Sequence, residues 1–491
     1  MSGVSTERTR LGAIDMVRLE ASRHLDPKRK AELGQFMTPA SVARFMASLF
    51  SERKGPVRLL DAGAGVGSLT AAFIERWGRN AMNVSAYEVD SGLASHLRRT
   101  LNGYGNGTFE AKVVTHDFIE DAVGRIERGS QREFTHAILN PPYKKINSYS
   151  GHRLLLRQVG IETVNLYSAF VSLAIELMAE RGEIVAIIPR SFCNGLYYKP
   201  FREWVLGKTA IEHIHLFHSR TSAFNDDDVL QENIIIKLVC GKKQGRVTIS
   251  TSRDTSFEDL QSHDYPFGEI VHEREEQKFI HVPLGPTQSG INGLPMARRT
   301  LKEIGLSVST GPVVDFRVKE FLRDAPGKGR VPLLYATHFA RGHMEWPRET
   351  KKPNALLNHP EMRKWLYPNG FYTVVRRFSS KEERRRIVAH VVDPKVFKAE
   401  ALGFENHLNV FHAKKQGIGA DVAHGLSVFL NATAVDDYFR RFSGHTQVNA
   451  TDLRMLRYPE AKELGALGRW ARRQENLTQK RIDQQIEKMN G

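Results

Sequence analysis

The sequence holds only two cysteines, Cys193 and Cys240, far apart in a chain of 491 residues. Two thiols cannot build a disulfide framework or a zinc site of their own, so a reducing cytoplasm is the expected compartment. A run of about 18 apolar residues, the least that spans a bilayer as a helix, is also missing. The opening residues Met1 to Arg8 lack the apolar core of a signal peptide. There is no internal repeat and no low-complexity tract. Excess acidity is absent as well: 71 Lys and Arg stand against 55 Asp and Glu, a net charge of +16. After residue 300 the count is 33 basic to 21 acidic, so +12 of the +16 lies there. Such an imbalance favours a polyanionic partner, nucleic acid first, with a solvated basic surface as the plain alternative.

A chain of this length exceeds one ordinary core and predicts two domains, with three as the upper reading. Residues 10–35 read as an amphipathic helical lead-in, followed by the turn-rich Gly34-Gln35-Phe36-Met37-Thr38-Pro39. Residues 40–53 carry a helical apolar stripe. From Val57 a strand–helix alternation begins, with strands at 57–61, 84–88, 111–115, 134–139, 183–188, 211–217 and 233–239. This predicts an α/β fold, a Rossmann-like and mostly parallel sheet with helices on both faces. The alternation fades near 250. Residues 251–300 read as a linker or irregular layer, and 301–491 as a mixed α+β domain in which short β runs separate basic clusters.

Asp61-Ala62-Gly63-Ala64-Gly65-Val66-Gly67 joins the first strand to a helix. Small residues there let a ligand approach the backbone. The pattern alone fits a dinucleotide site, a methyl-donor site or a tight turn. The Gly-Lys-Ser/Thr ending of a phosphate loop is absent, which excludes a nucleotide triphosphatase of that type. The acid Asp61 would repel a pyrophosphate but suits the cationic methionine end of S-adenosylmethionine. Glu88 ends the next strand, where a ribose-hydroxyl acceptor belongs, and Asp117 follows the third strand, where it suits an adenine amino group. For any one of these acids a helix cap is an equal reading. Three at successive strand ends point to a ligand.

Asn140-Pro141-Pro142-Tyr143 follows the fourth strand. Two prolines enforce an extended, rigid path, so the Asn140 side chain and the Pro141 carbonyl have fixed directions. An amino group conjugated to a ring is a poor nucleophile because its lone pair is delocalised. Two acceptors on its hydrogens favour a pyramidal nitrogen with a freed lone pair, a purely electrostatic catalysis. Tyr143 offers a face for a planar base. A proline-rich turn with no such role is the alternative.

The order Gly34 to Pro39, Asp61 to Gly67, Tyr87-Glu88, Asp117-Phe118, Asn140 to Tyr143 resembles the gamma class of adenine-N6 DNA methyltransferases of type II restriction-modification systems. The resemblance covers essentially the whole chain and is strongest over 30–240. It implies that Gln35, Phe36, Thr38 and Pro39 hold the methionine end of S-adenosylmethionine. It further implies that Asp61, Gly63, Gly65, Glu88, Asp117, Phe118 and Asn140 hold the rest of it. Residues 1–250 are then the catalytic domain and 301–491 the target-recognition domain. Phe224 sits where the family places an aromatic that stacks on the flipped base, with a core phenylalanine as the alternative. The stretches Val308 to Phe316 and Leu426 to Pro459 are similar to the start and end of such recognition domains.

Within the C-terminal part, Arg376, Arg377, Arg384, Arg385 and Arg386 are candidates for DNA backbone contact, each with a solvated basic face as the competing reading. His213, His215 and His218 cluster near one strand, but methyl transfer needs no metal and none is expected. The activity expected is methylation of adenine N6 in duplex DNA, by base flipping and direct displacement. The enzyme would be a monomer paired with a restriction endonuclease and would read a short palindromic site. The rivals are a methyltransferase acting on RNA or on protein glutamine, a fused restriction-methylation enzyme, and a catalytically dead DNA-binding relative. The short stretch before Gln35 leaves no room for the nuclease of a fused enzyme.

Overall fold

The computed structural model describes residues 10–24, 37–78, 81–105, 109–130, 132–217, 232–273, 275–283, 295–340, 343–379, 383–442 and 447–490. Gln35, Phe36, His218 and Phe224 lie outside these residues. The chain divides into two compact units, Met1–Pro286 and Thr287–Gly491.

In the first unit the strands are β1 (Val57–Ala62), β2 (Met82–Tyr87), β3 (Phe109–Val114), β4 (Phe134–Leu139), β5 (Met178–Pro189), β6 (Thr209–Phe217), β7 (Asn233–Cys240), β8 (Arg246–Ser252) and β9 (Gln261–Pro266). Among the described residues they form one sheet in the order β3-β2-β1-β4-β5-β7-β6-β8-β9. The five strands from β3 to β5 are parallel, and β7 runs antiparallel between β5 and β6. Among the described residues, the helices of eight residues or more are α1 (Arg10–His24), α2 (Ala40–Ser48), α3 (Ser68–Trp77), α4 (Ser91–Asn102), α5 (Phe118–Glu127), α6 (Gly151–Gln158), α7 (Leu166–Leu177) and α8 (Lys199–Lys208).

A parallel sheet covered on both faces needs strands that are apolar throughout. β4 and β7 are buried along their whole length. Successive side chains point to opposite faces. Thus Leu60, Leu139 and Ile184 enter one core, packed with α5 and α7, while Leu59, Ile138 and Val185 enter the other, packed with α2 and α3. This is the α/β architecture, a sheet with helices on both faces, expected from the strand spacing. One expectation changes. The sheet continues past residue 250, because β8 pairs with β6 and β9 with β8. The linker reading of 251–300 therefore does not hold over 251–266. β9 reads Gln-Ser-His-Asp-Tyr-Pro and is mostly exposed, and an edge strand of such polarity carries no hydrophobic signal.

The second unit contains a four-stranded antiparallel sheet, in the order Ser307–Thr310, Leu408–His412, Tyr372–Arg376, Ala389–Val392. A second, five-stranded sheet is built from Leu322–Arg323, Ala355–Leu357, Arg330–Leu334, Ala401–Phe404 and Leu366–Pro368. Among the described residues five α-helices follow, from Ala420–Leu430 to Gln479–Asn490. The helix Ala450–Met455 is capped by Asn449, whose backbone N–H is bonded in return by Asp452.

Candidate active site

At the carboxyl ends of β1 to β4 a cavity of about 350 Å³ opens in the first unit. This is the edge at which open α/β sheets bind ligands, because the strand-to-helix turns diverge there. Met37, Thr38, Gly63 to Val66, Glu88, Asp117, Phe118, Asn140 and Pro142 all line it, together with Lys144 to Asn147 and His152. Residues scattered over more than a hundred positions are therefore brought to one wall by the sheet order.

The glycine-rich turn is shaped by backbone geometry. Gly63, Gly65 and Gly67 have φ of 84°, 57° and 92°, the left-handed region that glycine tolerates best. A Cβ at Gly65 would meet open space, so the turn presents bare backbone to the cavity. A Cβ at Gly67 would come within 2.8 Å of Leu97, which fixes close packing of α3 on α4. Glu88 is buried, and its two oxygens accept from the Gly65 and Asp90 backbone N–H groups at 2.9 and 2.8 Å. Burial raises its pKa, and these N–H groups oppose the rise.

Asp61 is placed differently from expectation. It is fully buried and does not line the cavity. Its Oδ2 accepts from the Thr70 hydroxyl at 2.6 Å, while Oδ1 has no hydrogen-bond partner. Burial pushes its pKa up to about 7 against the lowering effect of Thr70. Strand β1 carries Asp61 in its last two residues, where the side chain turns into the protein rather than onto the cavity wall.

Asp117 caps α5. Its Oδ1 accepts from the Ile119 and Glu120 N–H groups at 2.8 and 3.3 Å, and its Oδ2 pairs with His152 Nε2 at 3.1 Å. Burial alone would raise its pKa, but His152 and the two amides together hold it below the usual carboxylate range. Phe118 packs edge-on against Tyr87 and beside Phe170. The Tyr87 hydroxyl donates to Asp121 at 2.6 Å.

The tetrad begins where β4 ends. Asn140 Nδ2 donates to Thr38 Oγ1 at 2.9 Å, and the Tyr143 hydroxyl donates to Asn140 Oδ1 at 3.2 Å and to the Ile187 carbonyl at 3.1 Å. These bonds assign the amide orientation. Pro141 is buried, and Pro142 lies within about 4 Å of where a Cβ on Gly63 would stand. Tyr143 is half-buried, packs against both cores, and has its pKa raised by burial. The chain leaving the tetrad is pinned to the start of α7, with Leu166 N–H on the Lys144 carbonyl and Ile146 N–H on the Val164 carbonyl, both at 2.8 Å.

Sequence reading missed His152 and Thr70. Neither belongs to a pattern: His152 is a lone residue on a helix, and Thr70 is one small polar residue in an apolar one. His213 and His215 both bond Ser250 Oγ, at 2.7 and 2.8 Å, across adjacent strands.

In the second unit the five arginines separate. Arg384 is exposed. Arg376 pairs with Glu383, Arg377 donates to the Asn406 carbonyl, and Arg385 donates to the Ala432 carbonyl at 3.0 Å. Arg386 is only 1% exposed, donates from Nε to Ser379, and lies over the Phe439 ring. A backbone-contact role for Arg386 is therefore corrected to a core role. A guanidinium buried on an aromatic face and bonded to Ser379, in a residue whose backbone N–H is bonded to Asp436, cannot reach a phosphate.

Residues 92–224 match the family model described as the Eco57I restriction-modification methylase. The type II methyltransferase M.BsuBI of Bacillus subtilis is 50% identical over 492 residues, covering 98% of both chains. M.PstI of Providencia stuartii, also a type II methyltransferase, is 42% identical over 469 residues and 92% of both. A solved cryo-EM structure of a DrdV–DNA complex aligns over 96% of this chain and 60% of its own at 13% identity, with a TM-score of 0.51, a likeness of fold. With a sheet, a glycine turn and a tetrad arranged as above, and relatives that match over more than nine-tenths of both chains, this chain belongs to the type II methyltransferases of restriction-modification.

Proposed function

We propose that the chain transfers a methyl group from S-adenosylmethionine to N6 of adenine in duplex DNA, the gamma-class reaction, and so protects a site from a cognate restriction endonuclease. The observation that carries this reading is the Asn140 amide, held between Thr38 and Tyr143 on the wall of a cavity that also presents Glu88, Asp117 and the bare turn at Gly65.

The residues fit that donor. The open space over Gly65 accepts a group that a side chain would displace. Asp61 Oδ1, buried and unpartnered, places latent negative charge under the turn, which a cation nearby would stabilise. Thr38, Pro39, Gly63 and Gly65 would hold the methionine end, Glu88 the ribose, and Asp117 with Phe118 the adenine. When bound, the donor supplies an electrophilic methyl group on a sulfonium. The chain's own work is orientation. Thr38 and Tyr143 fix the Asn140 amide, so that Oδ1 and the Pro141 carbonyl accept the two hydrogens of the target amino group. The nitrogen lone pair is then freed for displacement, and no covalent intermediate on the protein is required. Tyr143 and Phe224 stack on the flipped base. The second unit reads the site, with Arg384 on the DNA backbone, and the enzyme acts as a cytoplasmic monomer.

Tritiated methyl transfer to DNA, RNA and protein tests the reading, followed by nucleoside analysis. N6-methyladenine in DNA is the expected product; label only in protein or RNA, or in cytosine, would refute it. Asn140→Ala should lower transfer by at least about a hundredfold, in line with loss of a preorganised polar contact, while DNA binding persists.

A further inference from the structure

We infer that His152 is a positioning residue for the methyl donor, acting through Asp117 to set selectivity for an adenine with a 6-amino group. The inference rests on the reading that Asp117 accepts from the donor's adenine. Asp117 has two oxygens with divided duties. Oδ1 is taken by the first two N–H groups of α5. Oδ2 faces His152 Nε2 at 3.1 Å, and both side chains line the cavity and remain about one-third exposed there. A carboxylate oxygen carries two acceptor directions. His152 occupies one of those of Oδ2, which leaves the other for an amino hydrogen. Without His152 the carboxylate has only its α5 bonds to fix its rotation.

His152 is itself held firmly. It sits in the first turn of α6, whose N-cap is Ser150. One helical turn later on the same face, Leu156 is fully buried in the core. Arg153 and Arg157 of α6 both pair with Glu162. The helix follows directly on the tetrad's exit segment, whose residues Lys144 to Asn147 form part of the same cavity wall. The tetrad and the Asp117 acceptor are thus tied to one short, anchored stretch of chain. Hydrogen bonding to Asp117 raises the His152 pKa, which favours the charged and stronger form of the bond.

The test compares binding of two probes, S-adenosylhomocysteine and its inosine analogue, in which a carbonyl replaces the 6-amino group. For the whole chain, His152→Ala is expected to weaken S-adenosylhomocysteine by about tenfold, the lower end for one hydrogen bond to a charged group, and to leave the inosine analogue within about twofold. His152→Gln, which can still donate to Asp117, should restore most of the lost affinity and selectivity. Equal weakening of both probes, or no change in either, would overturn the role of His152 while leaving the donor site intact. Failure of the unaltered chain to bind S-adenosylhomocysteine would instead overturn the donor site and this inference together. The position is partly exposed, and alanine is favourable in a helix, so the variant should fold; a melting curve checks this.

Discussion

Asp61 and Asp117 are both acids at strand ends, yet their surroundings set opposite behaviour. Asp117 gains amides and an imidazole and stays ionised. Asp61 gains one hydroxyl and full burial, and its pKa rises to about 7. Between the ordinary carboxylate range and about 7, the folded chain binds a proton at Asp61 that the unfolded chain does not. Stability from this group is therefore greatest at low pH, falls as pH rises through that window, and levels above it. Asp61→Asn keeps an acceptor for Thr70 and removes the titration. Denaturant unfolding at roughly pH 5 and pH 8 should show a smaller difference for the variant than for the unaltered chain. An unchanged difference would place the titration elsewhere. Arginine shows the same dependence on surroundings. Arg384 and Arg386 are two residues apart, but one meets solvent and the other an aromatic ring and Ser379.

At the level of elements, glycine decides how two helices of the second unit meet. The helices Ala420–Leu430 and Ala461–Ala471 approach so closely that a Cβ on Gly425 would stand 1.8 Å from the Leu464 carbonyl oxygen, and one on Gly468 1.7 Å from that of Asp421. Both obstacles are backbone, which cannot rotate away. Gly468→Ala is expected to cost roughly 1–3 kcal/mol, toward the upper end, as overpacking does. The loss should appear as a lower denaturant midpoint, whereas Gly419→Ala, with open space around it, should leave the midpoint nearly unchanged. The first unit uses glycine for another purpose. There the positive φ at Gly63, Gly65 and Gly67 bends β1 into α3 and bares the turn. The strand-to-helix rhythm made these elements legible, since buried parallel strands must be apolar along their length. The polar edge strand β9 and the lone His152 carried no periodic signal and emerged only when packed.

For the whole molecule, charge and fold act at different ranges. The net charge of +16, most of it carried after residue 300, favours a polyanionic partner. The cavity of the first unit is built for something smaller and more exact. No helix among the described residues is long and apolar enough to cross a membrane. DNA affinity is expected to fall steeply with salt, and Arg384→Ala to reduce the slope of log affinity against log salt by about one. Fluorescence anisotropy over a salt series measures this, and a slope unaffected by the substitution would remove Arg384 from the backbone contacts.

Local chemistry determined the turn at Gly63 to Gly67, the rigid tetrad and the alternation of strands and helices, because proline, glycine and apolar runs constrain the chain within a few residues. The tertiary structure decided which of those residues share a wall. It joined Thr38 to Asn140 and His152 to Asp117, and it withdrew Asp61 and Arg386 into the interior. Burial, charge pairing and acceptor geometry depend on neighbours distant in sequence, and only the packed sheet supplies them.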